Sequence, residues 1–268
     1  MCLVDIVIFI KLLVYTSAMV VIVKYGEIAL KGKNRIDFER KLIKNIKDCL
    51  KKNNIEFGQV KRLSGRILIE TDQKCDCLNY VYGISSYSYA SKVKTDVDEI
   101  KKEALKQYKT GTFRVSVKRV DKVLDKSPEI EKKVGAYIVQ QKNAKVKLKD
   151  YDVCINVEIF KENSFVYSEK IKGLGGLPVG IEGKVCAVLE DDDSVEAAKL
   201  MMKRGCEVVL YKLKDVNYDE LKKYEYGFKL REVDKVPNYV AAVVTSEKLE
   251  TLKDRSFGKP VLRPLVAY

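Results

Sequence analysis

The stretch at residues 183–205, GKVCAVLEDDDSVEAAKLMMKRG, constrains the fold more than any other part of this chain. A short apolar run leads into a turn and then into apolar residues at helical spacing, a pattern typical of a nucleotide-binding strand–turn–helix unit. In such a unit, glycines in the turn leave room for a phosphate. Here the turn holds Glu190, Asp191, Asp192, Asp193 and Ser194. The stretch therefore predicts an α/β layer with an acidic loop where a phosphate would lie.

Strand-like and helix-like segments also alternate through the rest of the 268 residues, which predicts a mixed α/β protein of two or three small domains. A helix with one buried stripe is predicted by the fourfold spacing of Phe38, Leu42, Ile46 and Leu50. Its lysines are expected on the exposed side: Lys41, Lys44, Lys47, Lys51 and Lys52. The glycines and proline of KGLGGLPVG, residues 172–180, predict a linker.

The formal net charge of +13 is distributed unevenly along the chain. Residues 181–268 carry equal numbers of basic and acidic side chains, so the whole excess lies in residues 1–180. A basic half joined to a neutral half is typical of a polyanion-binding module attached to another domain. A solvated, lysine-rich surface of a heat-adapted protein has the same composition. The charge distribution alone does not decide between a polyanion-binding module and a solvated, lysine-rich surface.

The cysteines and the absence of histidine limit the chemistry that this chain can perform. Seven cysteines are dispersed without a C-x-x-C pair, and Cys75 and Cys77 form only a C-x-C. An odd, dispersed set is typical of reduced thiols in a cytoplasmic protein rather than of a disulfide framework. Because histidine is absent, Ser-His-Asp and Cys-His catalysis are excluded, as is a zinc site that needs imidazole.

The N-terminal segment MCLVDIVIFIKLLVYTSA is apolar enough to resemble a membrane or secretory segment. Asp5 and Lys11 interrupt the apolar run, however, and no basic region precedes it. A second methionine, Met19, stands directly before a strand-like segment. We therefore expect translation from Met19, with residues 1–18 as an upstream extension and no membrane partner. An N-terminal anchor is the alternative.

Five motifs occur in one order between Met19 and Gly205: KYGEIALKGKNR, TFRVSVKRVDK, VGAYIV, YSEKIKGLGGLPVG and LMMKRG. Together they resemble the tRNA 4-thiouridine synthetase (tRNA sulfurtransferase) family, and a weaker match continues to the C-terminus. The resemblance implies a ferredoxin-like domain, a THUMP α/β domain that binds tRNA, and a shortened Rossmann-like α/β domain of the ATP-using PP-loop type. In the family, the first two domains dock the acceptor end of tRNA, and the third adenylates a uridine before sulfur transfer.

The motifs also place these parts on the sequence. We expect the ferredoxin-like domain at residues 19–76 and the THUMP domain at residues 77–171. The glycine-rich linker follows at residues 172–180, and a degenerate PP-loop-like domain at residues 181–268.

The loop at residues 190–194 departs from the family. The PP-loop of the family reads roughly S-G-G-x-D-S, and its glycines let backbone N–H groups approach the ATP phosphates. Asp193 and Ser194 match the last two positions, but both glycines are missing, and carboxylates beside a triphosphate add repulsion. An acidic helix N-terminus, stabilised by the helix dipole, explains these residues more simply. The sequence therefore predicts no catalytic residue, no cofactor and no metal.

Two further features of the C-terminal part agree with a degenerate nucleotide loop. The segment AAVVTSEKLETL resembles the V-T-G-E strand–turn–helix of the family, with Ser246 in place of the glycine. Cys206, near the loop, and Cys186, within the preceding strand, are both expected to be core thiols.

The RNA-binding part keeps its basic residues. Phosphate contacts need Lys or Arg on a fixed scaffold, and small residues where the backbone comes close. Nine residues are predicted to bind RNA: Lys31, Lys33, Arg35, Arg114, Lys118, Arg119, Lys122, Gly175 and Gly176. On a strand, Arg114 and Lys118 share one side and Arg119 takes the other, where an internal pair with Asp121 is its alternative role. A tight interdomain linker explains the two glycines equally well.

These observations predict a tRNA-binding protein of tRNA modification or thiolation that has lost adenylation. Its expected partners are tRNA and a separate tRNA-modifying enzyme, with a homodimer as a further option. Two alternatives stay open. One is an active tRNA sulfurtransferase with a rebuilt ATP and thiol site, and the other is a protein-interaction scaffold whose basic surface no longer binds RNA.

Overall fold

The computed structural model of the protein describes residues 18–267. Apart from its last residue, the predicted upstream extension lies outside the described residues. The chain forms two compact units. The first unit comprises residues 22–87 together with residues from 170 onward, and the second unit comprises residues 88–169 together with those up to 21. No helix in the described range is long and apolar enough to cross a membrane.

Residues 18–70 form three neighbouring strands and one long helix. The elements are β1 (Ala18–Lys24), α1 (Arg35–Lys52), β2 (Val60–Leu63) and β3 (Arg66–Glu70). The strand order is β2-β3-β1, and β2 and β3 form an antiparallel hairpin. The predicted stripe of α1 is confirmed, because Leu42, Ile46 and Leu50 are fully buried and Phe38 is nearly so. Short 3-10 helices precede α1 and follow β3.

One lysine of α1 does not lie where its spacing predicts. Lys41 is half-buried, and its Nζ donates a hydrogen bond to the carbonyl oxygen of Gly227 at 3.3 Å. Burial lowers the pKa of this ammonium group. The prediction of an exposed Lys41 is therefore wrong, because a segment distant in sequence covers this part of the helix. The other four lysines are exposed as predicted.

The second unit is an α/β layer with two helices. Its elements are β4 (Ser86–Lys94), α2 (Val97–Gln107), β5 (Thr112–Arg119), α3 (Ser127–Lys142), β6 (Lys145–Val146), β7 (Val153–Ile159) and β8 (Asn163–Tyr167). The strand order is β4-β8-β7-β5-β6, with β5 parallel to β7 and with β7 and β8 forming an antiparallel hairpin. Both helices pack on one face of the sheet, over a core that includes Ile100, Phe113 and Ile130.

The C-terminal part of the first unit contains a parallel sheet. Its elements are β9 (Ile171–Lys172), β10 (Lys184–Leu189), α4 (Asp193–Lys203), β11 (Glu207–Lys212), α5 (Asp219–Lys222), β12 (Glu232–Val233), β13 (Ala242–Val244) and β14 (Val261–Leu262). β9 pairs with the first residues of β4. The other five strands run parallel in the order β12-β11-β10-β13-β14. This Rossmann-like sheet confirms the predicted fold class.

Strand β10 lies at the centre of that sheet, with both faces covered. Val185, Ala187 and Leu189 join a core that contains residues of α4. Cys186 and Val188 join a second core on the opposite face. A parallel strand that is buried on both sides requires an unbroken apolar run, which KVCAVL supplies. The burial of β10 brings the acidic loop that follows it to the carboxyl edge of the sheet.

Candidate functional site

The carboxyl ends of five parallel strands meet at one edge of the sheet in the first unit. From β10 the chain passes through α4 to β11 on one side, whereas β13 lies on the other side. In open α/β sheets, ligands bind where the strand order reverses in this way. The candidate site is therefore the β10–β13 edge, which consists of the loops at residues 190–194 and 245–248.

The loop after β10 is closed by hydrogen bonds between its own residues. The backbone N–H groups of Glu190 and Asp191 both donate to the hydroxyl oxygen of Ser194 at 3.2 Å. The N–H and the hydroxyl of Ser194 in turn donate to Asp191 Oδ1 at 2.9 and 2.8 Å. In a phosphate cradle, such N–H groups point at the ligand. In this loop the chain itself already satisfies them.

Ser246, which stands where the family has a glycine, joins the two loops. Its hydroxyl donates a hydrogen bond to Asp191 Oδ2 at 2.9 Å, although the two residues are far apart in sequence. Partial burial acts to raise the pKa of Asp191, but the hydrogen bonds from Ser194 and Ser246 outweigh it and hold the pKa below its ordinary value. Asp191 is therefore a charged carboxylate that accepts bonds from both loops.

A chain of alternating charges crosses the same edge. Arg255 Nη2 lies 2.8 Å from Glu190 Oε2, and Arg255 Nε lies 3.0 Å from Glu247 Oε1. The second oxygen of Glu247 accepts from Arg263 Nε at 2.5 Å. The Glu247 side chain is only 3% exposed, so solvent screens these pairs little. Two arginines thus neutralise two carboxylates within the protein.

The two remaining acids of the loop lie at the start of α4. Asp193 Oδ2 is 2.6 Å from Lys248 Nζ, which belongs to the facing loop. Asp192 occupies the N-cap position without a side-chain capping bond. The positive end of the helix dipole favours a carboxylate at both positions. The acids of this loop are therefore held by cations and by a helix N-terminus of the protein itself. This supports the interpretation of residues 190–194 as an acidic helix N-terminus rather than as a nucleotide site.

The low pKa of Asp191 predicts how the stability of the first unit depends on pH. A group whose pKa is lower in the folded than in the unfolded state stabilises the fold above its unfolded pKa, which is about 3.9 for Asp. That stabilisation is lost as the pH falls through the lower, folded value. At pH 7 we expect Asp191→Asn to cost about 1 kcal/mol, as for other partly exposed hydrogen bonds. The difference from the wild type is expected to shrink below pH 4.

Urea unfolding at pH 7 and pH 3, followed by far-ultraviolet circular dichroism, measures this difference. Asp192→Asn is the matched control, because the Asp192 side chain makes no capping hydrogen bond. An Asp191→Asn cost that is equal at both pH values, or equal to that of the control, would contradict the assignment.

The thiols of the described part are poorly placed for chemistry. Five of its six free cysteines are buried, and Cys154 is half-buried. Burial raises the pKa of Cys206, and it raises the pKa of Cys186 to about 11. A thiol must ionise to act as a nucleophile, so both thiols have the inert character of core residues, as predicted. Among residues 18–267, no group of three or more Cys, Asp or Glu side chains is arranged to hold a metal ion.

Two of the predicted RNA-binding residues precede α1. Lys33 is exposed. Lys31 is half-buried, with its Nζ 3.1 Å from Glu182 Oε1 and 4.6 Å from the centre of the Phe38 ring. An anionic ligand at Lys31 therefore has to compete with Glu182, whereas Lys33 can approach a phosphate directly.

Arg35, the third predicted residue in this region, belongs to a network inside the first unit. Its Nε donates to Glu39 Oε1 and its Nη2 donates to the Tyr25 hydroxyl, both at 2.8 Å. Arg62 Nη1 donates to the other oxygen of the buried Glu39 at 3.1 Å. Tyr25 also donates to Glu39, and burial, followed by that bond, raises the pKa of Tyr25 to about 12. Arg35 therefore contributes to stability as well as to surface charge.

The two glycines predicted to bind RNA have different surroundings. Both have a positive φ, of 68° at Gly175 and 72° at Gly176. A Cβ at Gly176 would lie 2.3 Å from the carbonyl oxygen of Lys203, to which the N–H of Leu177 donates at 2.9 Å. A Cβ at Gly175 would meet nothing within 4 Å. Gly176 therefore serves the packing of α4. Gly175 has free space around its Cα, although its N–H donates to the carbonyl oxygen of Ile84 at 2.7 Å and its own carbonyl oxygen accepts from Gly83 at 2.8 Å.

Two predicted RNA-binding residues lie on one face of β5 in the second unit. Alternate residues Phe113, Val115 and Val117 are buried, whereas Lys118 is exposed and Arg114 is half-buried, so the predicted alternation is confirmed. Arg114 Nη1 donates to a backbone carbonyl at a long 3.4 Å. Lys118 is therefore the residue of this strand whose charge is most accessible to an RNA phosphate.

The two residues at and after the end of β5 differ in their contacts. Arg119 Nη1 donates to the carbonyl oxygen of Leu124 at 3.3 Å. Asp121 instead accepts from the backbone N–H of Lys161 at 2.8 Å. The alternative of an Arg119–Asp121 pair is therefore wrong, because the carboxylate fixes the neighbouring loop. Lys122 is exposed.

Four residues of the β10–β13 edge were missed from the sequence: Glu247, Lys248, Arg255 and Arg263. For Glu247, Lys248 and Arg263 the signal is that polar residues follow the apolar strands β13 and β14, whereas Arg255 has no such signal. In a parallel sheet, such positions lie at the same edge as the loop after β10.

Comparisons with known proteins agree with the fold. The family model of the ThiI ferredoxin-like domain matches residues 20–88, and that of the THUMP domain matches residues 87–169. A probable tRNA sulfurtransferase of Thermococcus kodakarensis is 38% identical over 235 residues, which cover 78% of this chain and 61% of that protein. One of Thermoanaerobacter is 42% identical over 199 residues, which cover 70% and 52%. The chain thus spans 61% and 52% of the length of these relatives.

Two solved structures resemble the whole described chain. A crystal structure of a Pyrococcus horikoshii Ot3 protein has a TM-score of 0.84 at 33% identity, covering 93% of this chain and 95% of that chain. A 4-thiouridine synthetase in complex with RNA and with bound ATP has a TM-score of 0.75 at 25% identity, covering 94% and 82%. The predicted ferredoxin-like and THUMP domains are thereby confirmed. The chain belongs to the tRNA sulfurtransferase (4-thiouridine synthetase) family.

Proposed function

We propose that this protein binds tRNA through its ferredoxin-like and THUMP domains and does not adenylate it. Membership of the family and the excess of basic residues before residue 181 support tRNA binding. The similarity to a 4-thiouridine synthetase whose structure contains RNA points the same way. We assign the ferredoxin-like domain to residues 19–76, the THUMP domain to 77–171, the linker to 172–180 and the degenerate PP-loop-like domain to 181–268.

One observation carries the non-catalytic part of this proposal. At the β10–β13 edge, the N–H groups of Glu190 and Asp191 donate to Ser194, and Ser246 donates to Asp191. A triphosphate at this position would have to displace those bonds while lying beside Asp191 and Asp192, the two acids of the loop that make no ion pair with the described residues. At an effective dielectric constant of 20, two like charges about 4 Å apart repel by about 4 kcal/mol. Nucleotide binding is therefore strongly disfavoured at this loop.

We further propose that the protein assists a separate tRNA-modifying enzyme in tRNA modification or thiolation, and that it can form a homodimer. Without adenylation, bound tRNA has to be passed to an enzyme that carries out the chemistry. The free thiols favour a reducing, cytoplasmic compartment.

An active tRNA sulfurtransferase with a rebuilt ATP and thiol site is the second candidate. It is favoured by the similarity to relatives that are probable tRNA sulfurtransferases. Such an enzyme would need a reactive thiol, and Cys206 is the one cysteine of the sequence that follows β10. Because Cys206 is buried, this candidate requires a movement that exposes it.

Binding of labelled total tRNA, measured with and without ATP and Mg²⁺, separates the candidates. We expect tight tRNA binding that ATP does not change, no heat on calorimetric titration with millimolar ATP, and no release of pyrophosphate. Micromolar ATP binding that is lost in Asp193→Ala, or activity that is lost in Cys206→Ser, would establish the enzyme instead. If the protein does not bind tRNA, the hypothesis that remains is a protein-interaction scaffold.

Charge reversal at Lys118 tests whether the second unit contacts phosphate. Loss of one phosphate contact is expected to lower tRNA affinity about eightfold at 0.1 M salt and to reduce the slope of log K against log salt by about 0.9. Lys118→Glu should act on all tRNAs alike, since a phosphate contact carries no sequence information. Lys203→Glu, at an exposed residue of α4, is the control. Equal effects of both substitutions would indicate diffuse electrostatics rather than a defined surface.

A further inference from the structure

A groove in the first unit contains none of the residues of the β10–β13 edge and none of the nine residues predicted to bind RNA. It has a volume of about 690 Å³ and runs between α1 and the segment at residues 225–229. Its lining residues are Arg40, Ile43, Lys44, Lys47, Asp48, Lys51, Lys52, Glu225, Gly227, Phe228 and Lys229. We call it the lysine groove, because six of these eleven residues are basic.

The wall of the lysine groove opposite α1 is fixed by contacts around one glycine. The N–H of Gly227 donates to Asp48 Oδ2 at 2.8 Å, and its carbonyl oxygen accepts from Lys41 Nζ at 3.3 Å. Gly227 has a φ of 77°, and a Cβ there would lie 1.8 Å from Asn45 Oδ1. Only glycine allows this approach. The groove is therefore a built feature of the fold and not a gap between loosely placed loops.

The cations along α1 form one row. Arg40, Lys44, Lys47 and Lys51 are separated by three or four residues, so they share one helical face. The row is roughly 16 Å long at 1.5 Å per residue. Lys229 faces it from the opposite wall. An array of this length can contact several successive phosphates of one strand.

Three of these lysines lack ionic partners among the described residues, in contrast to the lysines of α2. Lys44, Lys47 and Lys51 are exposed, and none makes an ion pair with the residues that the structure describes. On α2, by contrast, every lysine lies within 3.0 Å of an acid three residues earlier: Lys101 with Asp98, Lys102 with Glu99, and Lys106 with Glu103. Like charges at helical spacing destabilise a helix. The row on α1 therefore opposes folding slightly, and an anionic ligand would remove that repulsion.

The acids and the apolar residues of the groove define what such a ligand must look like. The carboxylate of Asp48 already accepts the N–H of Gly227 and lies 3.2 Å from Lys52 Nζ. Glu225 is the other acid of the lining. Ile43 on α1 and Phe228 on the opposite wall contribute apolar surface. Single-stranded nucleic acid is recognised by this combination, in which cations follow the backbone and an aromatic ring stacks on a base.

We propose that the lysine groove binds a single-stranded segment of RNA, with its phosphates along Lys44, Lys47 and Lys51 and a base against Phe228. This inference rests on the proposed tRNA binding and extends it to a surface that the nine residues predicted from sequence do not include. The single-stranded end of a tRNA has the required chemistry.

The variant Lys44→Gln/Lys47→Gln/Lys51→Gln tests the proposal in the full chain. If one to three phosphate contacts to a single strand are lost, tRNA affinity should fall by about 5-fold to 130-fold at 0.1 M salt, with a smaller salt slope. The matched control, Lys101→Gln/Lys102→Gln/Lys106→Gln, removes the same charge from α2 and should change affinity less than threefold. Circular dichroism verifies that both variants are folded.

A second variant and a second ligand make the outcome specific. Phe228→Leu keeps an apolar side chain but removes the ring, so it should lower affinity for a uridine oligonucleotide of about 12 nucleotides by about 5-fold or more. If the wild type binds tRNA but the groove and control variants lose affinity equally, the groove proposal is wrong and the proposed function stands. Binding of the oligonucleotide in the groove, without any binding of tRNA, would overturn the proposed function alone. A wild type that binds neither ligand would overturn both.

Discussion

Removal of both arginines from the β10–β13 edge is expected to destabilise the first unit by about 3–5 kcal/mol, or more. In Arg255→Ala/Arg263→Ala, Glu247 would remain 3% exposed without a cation, and Glu190 would lose its partner as well. A buried carboxylate that lacks a partner keeps its desolvation penalty and loses its Coulombic compensation. Urea unfolding followed by circular dichroism measures the loss, since the chain has no tryptophan for fluorescence.

Two further variants make that result interpretable. Adding Glu247→Gln to the double variant removes the orphaned charge, so it should restore part of the stability. Arg40→Ala/Arg204→Ala removes two exposed arginines and should cost at most about 1 kcal/mol. If the two double variants are equally stable, the ion pairs at this edge contribute nothing, and the acidic loop needs another explanation.

Gly176→Ala is expected to be far more destabilising than Gly175→Ala. Both substitutions place a Cβ at a positive φ, which costs about 1–2 kcal/mol. Only at Gly176 would the Cβ meet a backbone oxygen, that of Lys203, at 2.3 Å. Overpacking against a backbone atom adds about 1–3 kcal/mol, for a total of about 2–5 kcal/mol. Thermal and urea unfolding of the two variants give the comparison directly.

The same pair of variants separates the two readings of the glycine-rich segment. If RNA approaches the backbone at Gly175, then Gly175→Ala should weaken tRNA binding although the variant remains folded. If the segment is only a linker, Gly175→Ala should bind tRNA as the wild type does. Equal losses of stability in both variants would contradict the close contact between Gly176 and α4.

The elements that the sequence predicts well are those with a local signal. The buried stripe of α1 follows from its fourfold spacing, and the central position of β10 follows from its unbroken apolar run. The alternation of β5 likewise separates Lys118 from Val117. Each of these signals lies within one element, so it does not depend on what the rest of the chain packs against it.

The candidate site depends on contacts that join distant parts of the sequence, and these have no local signal. The acids after β10 are visible in the sequence, but their partners lie 55 residues away at Ser246 and 65 residues away at Arg255. Lys41 was placed wrongly for the same reason, because Gly227 covers it from a distance of 186 residues. Sheet topology decides which loops meet, and only the structure supplies it.

The ion pairs of the β10–β13 edge also restrict how this chain can change over generations. Exchange of Glu190 for glycine would leave Arg255 with Glu247 as its remaining partner, and exchange of Asp191 would remove the acceptor of the hydrogen bonds from Ser194 and Ser246. Substitutions at facing residues of this kind are non-additive, so the effect of a change in one loop depends on the residues of the other. A glycine-rich loop is therefore expected to need coordinated substitutions in both loops, since each single step toward it removes contacts that hold the two loops together.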